Sequence, residues 1–306
     1  MREEASLILK SIMRHIAILI ICIFESQLAT SQIQKRFWNW EVVDTANIVC
    51  LYDYACYMPF RDANYMKHED FILEIGSDVS KYYSSKRFIC DSLYYTTASA
   101  REEYTKRTIS VLKQTTKARN SNEEYNILNS APGGSCIKIY KNNITDSIYV
   151  RDQFSRNNYV EYREPKITMN WELCDDTIYI LGYLCHEAKC FWRGRNYRAW
   201  YSEEIPICDG PYKFCGLPGL IMRLEDQGAE YKWVIKGFEV SKRLIFLDKP
   251  FENSQYIQAD RKTILKNEWK RRNKTQQKIN ADMMAIGREE KVETDIPYDL
   301  IELDYK

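Results

Sequence analysis

The stretch from Ala199 to Met222 constrains the fold more than any other part of this 306-residue chain. It holds three of the eight prolines and three of the eleven glycines, as Ile205-Pro206, Gly210-Pro211-Tyr212 and Gly216-Leu217-Pro218-Gly219, and runs directly into the apolar Leu220-Ile221-Met222. Proline fixes φ and donates no backbone hydrogen bond, while glycine reaches backbone conformations closed to other residues. The stretch therefore predicts a rigid, sharply turned loop that feeds a buried strand.

The segments around it read as short strands. Phe71 to Ile75, Val79 to Tyr83, Cys136 to Tyr140, Ile148 to Arg151 and Tyr159 to Tyr162 are rich in β-branched and aromatic residues and are bounded by turn residues such as Pro132-Gly133-Gly134 and Asn142-Asn143. Val42-Val43, Ile48-Val49 and Leu51-Tyr52 suggest a first strand pair. Thr177 to Ala188 reads as one long strand with Gly182 near its middle, which allows a bulge or the close approach of a neighbour, followed by a turn at Arg193 to Asn196 and a return over Tyr197 to Tyr201. Leu220, Met222 and Leu224, then Tyr231, Trp233 and Ile235, alternate with polar or outward positions, which puts one face on a core and the other toward water or a ligand. Strands at this spacing without intervening helices predict an antiparallel meander and a mainly β, β-rich α+β fold.

Two regions depart from that pattern. Ala98 to Asn129 is charged and helix-favouring, and reads as a part-helical surface insertion. Beyond Pro250, Leu265, Trp269, Arg272, Gln276, Ile279, Met283 and Ile286 follow helical spacing, and Glu289 to Asp304 is acidic. The organisation expected is a signal segment over 1–31, a β domain over 32–250 that carries the 98–129 insertion, and a charged helical C-terminal extension over 251–306.

Lys10 and Arg14 precede the nine-residue apolar run Ile16 to Phe24, and Ala29-Thr30-Ser31 offers a small-residue cleavage site. Nine apolar residues are about half of the roughly 20 that span a bilayer. Cleavage near Ser31 and a periplasmic or secreted product are expected, without a transmembrane anchor after cleavage. The net charge of +1 gives no electrostatic footprint for nucleic acid. Nine cysteines follow the signal segment, and an oxidising compartment predicts at least two disulfides, with Cys208 to Cys215 and Cys50 to Cys56 as candidates.

Catalytic and metal-binding signals are sparse. Only His68 and His186 follow residue 31, and the adjacent Cys185 and His186 would point to opposite faces of a strand. The gaps between Cys174, Cys185, His186 and Cys190 fit no zinc spacing, and the glycine-rich loop lacks the Gly-Lys-Ser/Thr ending of a phosphate loop. No metal and no cofactor is therefore expected. The acidic pairs Asp175-Asp176 and Glu203-Glu204 leave open a hydrolase, and exposed cysteines a thiol oxidoreductase; against both, a non-catalytic binding role is the preferred reading.

A wider pattern surrounds the loop: Trp171-Glu172, Gly182-Tyr183 with Cys185 and Ala188, Gly194-Arg195, Ala199-Trp200-Tyr201, Ile205-Pro206, Gly210-Pro211 and the hexapeptide from Gly216 to Ile221. Over roughly Glu41 to Val240 the chain thereby resembles the GLPGLI family of cell-envelope proteins of the Bacteroidota, which has no established biochemical activity. Less closely, it is similar to the bowl-shaped accessory domain attached to a bacterial peptide N-glycosidase. The cysteines at 174, 190, 208 and 215 and the 98–129 insertion depart from the family pattern. The resemblance implies a strongly curved sheet, a bowl or open half-barrel, acting as a binding or accessory module for a peptide, a glycan or an outer-membrane or envelope protein. The expected binding surface is a lip around the central loop, formed by Arg195, Arg198, Trp200, Tyr201, Pro206, Pro211, Tyr212, Leu217 and Pro218. Of the adjacent Trp200 and Tyr201, one should enter the core and the other look outward.

Overall fold

A computed structural model describes residues 41–57, 66–96, 98–115, 117, 123, 127, 130–155, 158–248, 255–270 and 300–305. The expected signal segment lies outside the described residues, as does the C-terminal helical stripe from Arg272 onward.

The chain runs as β1 (Glu41–Thr45), β2 (Ile48–Tyr57), β3 (Met66–Ile75), β4 (Val79–Ser84), α1 (Ser85–Thr96), α2 (Ala98–Thr115), β5 (Lys138–Asn142), β6 (Ser147–Ser155) and β7 (Asn158–Pro165). It continues as β8 (Glu172–Ile180), β9 (Tyr183–Trp192), β10 (Arg195–Ser202), β11 (Leu220–Asp226), β12 (Tyr231–Val240), β13 (Leu244–Leu247) and β14 (Tyr256–Gln258), followed by a helix, α3, over 261–270. Twelve strands make one open sheet in the order β14-β7-β6-β5-β4-β3-β2-β12-β11-β10-β9-β8. Two meanders, β2 to β7 and β8 to β12, join where β12 pairs antiparallel with β2; only the short β14 runs parallel, beside β7.

The sheet is strongly curled. Seven strands separate β7 from β10, which in a flat sheet would put them about 38 Å apart. Arg193, in the turn before β10, nevertheless donates to Glu164 of β7 at 2.7 Å. The concave side holds the main core, with Tyr52, Leu73, Tyr82, Ile139, Phe214, Leu220 and Trp233 among its fully buried side chains. A second, small core of Ala46, Val49 and Ile245 lies beneath the ribbon formed by β1 and β13.

Several sequence expectations need correction. The first strands do not pair with each other: β1 pairs with β13, and β2 sits between β3 and β12. Thr177 to Ala188 is a hairpin, because Leu181 (φ 51°) and Gly182 (φ 87°) form a two-residue turn of the kind that matches strand twist. Arg193 (φ 50°) and Gly194 (φ 86°) repeat that turn between β9 and β10. The helical excursion begins at Ser85 rather than Ala98, since Ser84 Oγ accepts the Arg87 amide at 3.0 Å and caps α1. C-terminal residues read as an extension enter the main core: Ile264 of α3 is buried there and Ile301 packs against it.

No disulfide joins the nine cysteines from Cys50 to Cys215. Cys50 and Cys56 lie on the same strand, six residues and about 20 Å apart, far beyond the reach of a disulfide. Cys208 is exposed while Cys215 is buried beside the bridge it forms with Asp209, so the two thiols face different environments.

Candidate functional site

The loop between β10 and β11 folds into the bowl. At Gly219 any side chain would overlap the Ser202 carbonyl, so only glycine lets the end of the loop lie against its start. Leu220 then donates to the Ile205 carbonyl and Ile221 to the Asp209 carbonyl, both at 3.0 Å. Lys141, reaching in from β5, donates to the Gly210 carbonyl at 2.6 Å and pairs with Asp209. Trp171 Nε1 donates to the Cys215 carbonyl at 2.9 Å, and the Tyr52 hydroxyl to the Ile221 carbonyl at 2.7 Å. With its backbone held from several sides, the loop carries Phe214 between Trp192 and Tyr197, ring centroids 4.8 and 4.6 Å away.

This arrangement divides the nine residues expected at the lip. Pro211, Tyr212 and Leu217 are buried in the bowl, whereas Pro206 and Pro218 are exposed. Arg198 is exposed and pairs with Glu187 at 2.8 Å. Trp200 and Tyr201 are both buried, against the expectation that they would part, because the register with β11 shifts between them and a bulge breaks the alternation. Arg195 is buried too, donating to the Leu300 carbonyl at 3.1 Å and pairing with Asp226 and Glu230.

The C-terminal segment 300–305 lies across the bowl, held by a cluster of charges. Lys213, fully buried at the tip of the central loop, contacts Glu164 at 2.6 Å, Glu302 at 2.5 Å and the Tyr162 hydroxyl at 2.9 Å. Arg261 reaches Glu302 at 2.7 Å and grips Asp304 with two nitrogens, while Arg193 meets Asp304 at 2.7 Å. Burial alone would raise the Glu302 carboxyl, but Lys213, Tyr212 and Arg261 outweigh it and hold the group below its usual range. The same contest, won by Arg261 and Arg193, brings Asp304 down to about 2.

Beside this cluster the bowl holds a partly open cavity of about 110 Å³. Six aromatic rings line it: Tyr54, Phe71, Tyr82, Tyr212, Tyr231 and Trp233. Tyr54 stacks with Tyr231 at 6.4 Å and meets Trp233 at 5.2 Å, and Trp233 Nε1 donates to the Tyr82 hydroxyl at 3.0 Å. Ser135, Asp152, Glu268 and Glu302 supply the polar lining, and Leu265 of α3 with Leu300 and Ile301 closes one side. Burial pushes the Tyr82 and Tyr212 hydroxyls well above their usual range, so both stay neutral and can donate.

Sequence reasoning missed this cavity and the charge cluster. Alternating Tyr231 and Trp233 was a visible signal, but Tyr54, Phe71 and Tyr82 come from strands far away in the chain, and Glu302 sits in an acidic run indistinguishable from a solvated tail. Of the candidate catalytic groups, Glu204 accepts the Leu184 amide at 2.9 Å, Asp175 and Asp176 are exposed on β8, and His68 meets Asp53 at 2.9 Å. Among the described residues no group of three or more His, Cys, Asp or Glu side chains is arranged to hold a metal ion.

A family model described as "Protein of unknown function (Porph_ging)" matches residues 192–223, the segment from the last residue of β9 through the central loop into β11. No curated protein matches the chain. Two solved structures of PNGF-II, in space groups C2 and P21, are similar at 14% identity with TM-scores of 0.46 and 0.47. Each match covers 75% of this chain and 34% of the PNGF-II chain, so the protein spans about a third of that length.

Proposed function

We propose that the protein is an exported, non-catalytic binding module of the cell envelope, of the GLPGLI type, and that it holds the end of a glycan in the aromatic cavity. The single observation that carries this reading is the lining: the half-buried ring of Tyr54 and four polar side chains around one space, backed by five buried rings. Sugar rings present apolar C–H faces that pack on aromatic planes, and hydroxyls that pair with carboxylates and tyrosines. At about 110 Å³ the space is smaller than the roughly 150 Å³ cavity that takes up a benzene molecule, so a terminal sugar would enter it only in part, with one edge of the ring inside the mouth. The periplasmic or secreted location rests on the expected signal segment, with its basic start, short apolar run and small-residue site near Ser31; among the described residues no helix is long and apolar enough to cross a membrane. Of the residues expected at the lip, Arg198 on β10 and Pro206 and Pro218 on the loop are exposed, so an envelope protein partner could touch them.

The test is titration of the full chain with a panel of mono- and oligosaccharides, followed by tryptophan fluorescence. At least one sugar should saturate the signal, and Tyr54→Ala, at a half-buried position, should weaken it about tenfold, as expected for the loss of a binding-site aromatic. Absence of any saturable response, or one indifferent to Tyr54, would reject the reading.

A further inference from the structure

Segment 300–305 belongs to no strand of either sheet, yet it is among the most specifically held parts of the chain. The Leu303 amide donates to the Arg193 carbonyl at 2.8 Å, the Leu300 carbonyl accepts from Arg195, and the Ile301 carbonyl accepts from the Tyr197 hydroxyl at 3.0 Å. Between these backbone contacts, Glu302 and Asp304 point their carboxylates at Lys213, Arg193 and Arg261. Among the described residues those three cations otherwise face the single carboxylate of Glu164. Without the segment the cradle carries an excess of two positive charges, which is the charge that Glu302 and Asp304 bring.

We infer that this basic cradle is a binding site for an extended peptide carrying two carboxylates two residues apart with an apolar residue between them, and that the chain's own C-terminal segment occupies it as a resident ligand. The occupant in trans is a segment of an envelope partner with that acidic-apolar alternation. Three observations favour exchange. The segment can leave without breaking a β-ladder; recognition is spread over backbone and two carboxylates, as in other peptide sites; and the charges left behind demand a replacement of the same sign. The Gly194 turn contributes shape as well: a Cβ there would lie 2.9 Å from Leu303 Cβ, so glycine lets the peptide backbone approach. The inference concerns the charged cradle and goes beyond the sugar reading, although Leu300, Ile301 and Glu302 of the same segment also form one wall of the aromatic cavity.

The probe is a fluorescein-labelled hexapeptide, Leu-Ile-Glu-Leu-Asp-Tyr, added to the full chain and read by anisotropy. In wild type the tethered segment competes at a high effective concentration, so binding should be about tenfold or more weaker than in the full-length double variant Glu302→Gln, Asp304→Asn. The hexapeptide with Gln and Asn at its two acidic positions should not bind, and adding Lys213→Met to the double variant should abolish capture. A folded double variant that ignores the acidic peptide would overturn the inference. Should the double variant fail to fold, the ¹⁵N-labelled wild-type chain decides: unlabelled peptide should move the Leu303 amide signal from its bonded position, and an unmoved signal at saturating peptide would overturn it. Wild type forming dimers that block peptide capture would assign the cradle to a second copy and overturn the partner reading. Sugar titration of the wild-type chain, in which Glu302 is unchanged, is a separate readout, so failure of either idea is visible without the other.

Discussion

Replacing Lys213 by methionine removes one charge from the centre of the molecule while keeping nearly the same side-chain length. Lys213 is fully buried and bonded to Glu164, Glu302 and the Tyr162 hydroxyl. Removing one member of a buried ion pair costs about 3–5 kcal/mol, because the partner is left charged and desolvated. Here the two carboxylates keep other partners. Glu164 retains Arg193 at 2.7 Å and Arg261 at 3.3 Å, and Glu302 retains Arg261 and Tyr212, each at 2.7 Å. The lower end, about 3 kcal/mol, is therefore expected. With a urea slope of about 3 kcal/mol/M, the unfolding midpoint should fall by about 1 M. Adding Glu302→Gln to Lys213→Met should restore part of the loss, since it removes the one excess negative charge left in the cluster, and the double-mutant cycle should show a coupling of about 1–3 kcal/mol. A midpoint shift of about 0.2 M or less, or strict additivity, would show that the cluster does not hold the loop and the C-terminal segment together.

Gly219→Ala should cost about 3 kcal/mol and lower the thermal midpoint markedly, because the new methyl group meets the backbone of Ser202 and not a side chain that could swing away; unchanged melting would contradict the loop geometry. Acid should destabilise the fold. Burial raises the Asp248 carboxyl, but Lys138 and Lys81 outweigh it and bring it down to about 2, below the unfolded value near 3.9, so its stabilisation is present above about pH 4 and lost as pH falls toward 2. Urea midpoints between pH 5 and pH 2 should decline accordingly, and Asp248→Asn should flatten the decline; an equal slope in the variant would refute this assignment. Toward a thiol reagent the native protein should react first at the exposed Cys208, whereas Cys185 and Cys190, which burial pushes up to about 11 and about 12, should react only on unfolding; mass mapping that finds equal rates would contradict the burial pattern.

The strand segments were legible because each carries its signal locally, in β-branched and aromatic runs bounded by turn residues. The rigid central loop was legible for the same reason. Its destination was not. Leu220 and Met222 alternate as a one-sided strand should, yet Ile221 between them is equally buried, since the loop folds back and sets Gly210 against it. The hairpin at Leu181-Gly182 was hidden because leucine rarely accepts a left-handed backbone, so nothing but the glycine marked a turn. The bulge between Trp200 and Tyr201 sets its parity through pairing with β11, which a single strand does not display. Equally hidden is the contact between Lys213 and Glu302, 89 residues apart in the chain. Charge alone marks such a residue as solvated, and only the curl of the sheet brings the partners together. The candidate site is therefore a product of tertiary structure: its rings come from β2, β3, β4, β12 and the loop, and its acids from α3, β6 and the C-terminal segment.

The most direct test of the binding account is a crystal structure of the full chain with the best-binding saccharide. A sugar ring should lie inside the bowl, packed against Tyr54 with its hydroxyls toward Asp152 and Glu268. Density for the sugar only on the outer surface, for example beside Arg198, Pro206 and Pro218, with the aromatic cavity unchanged, would contradict it.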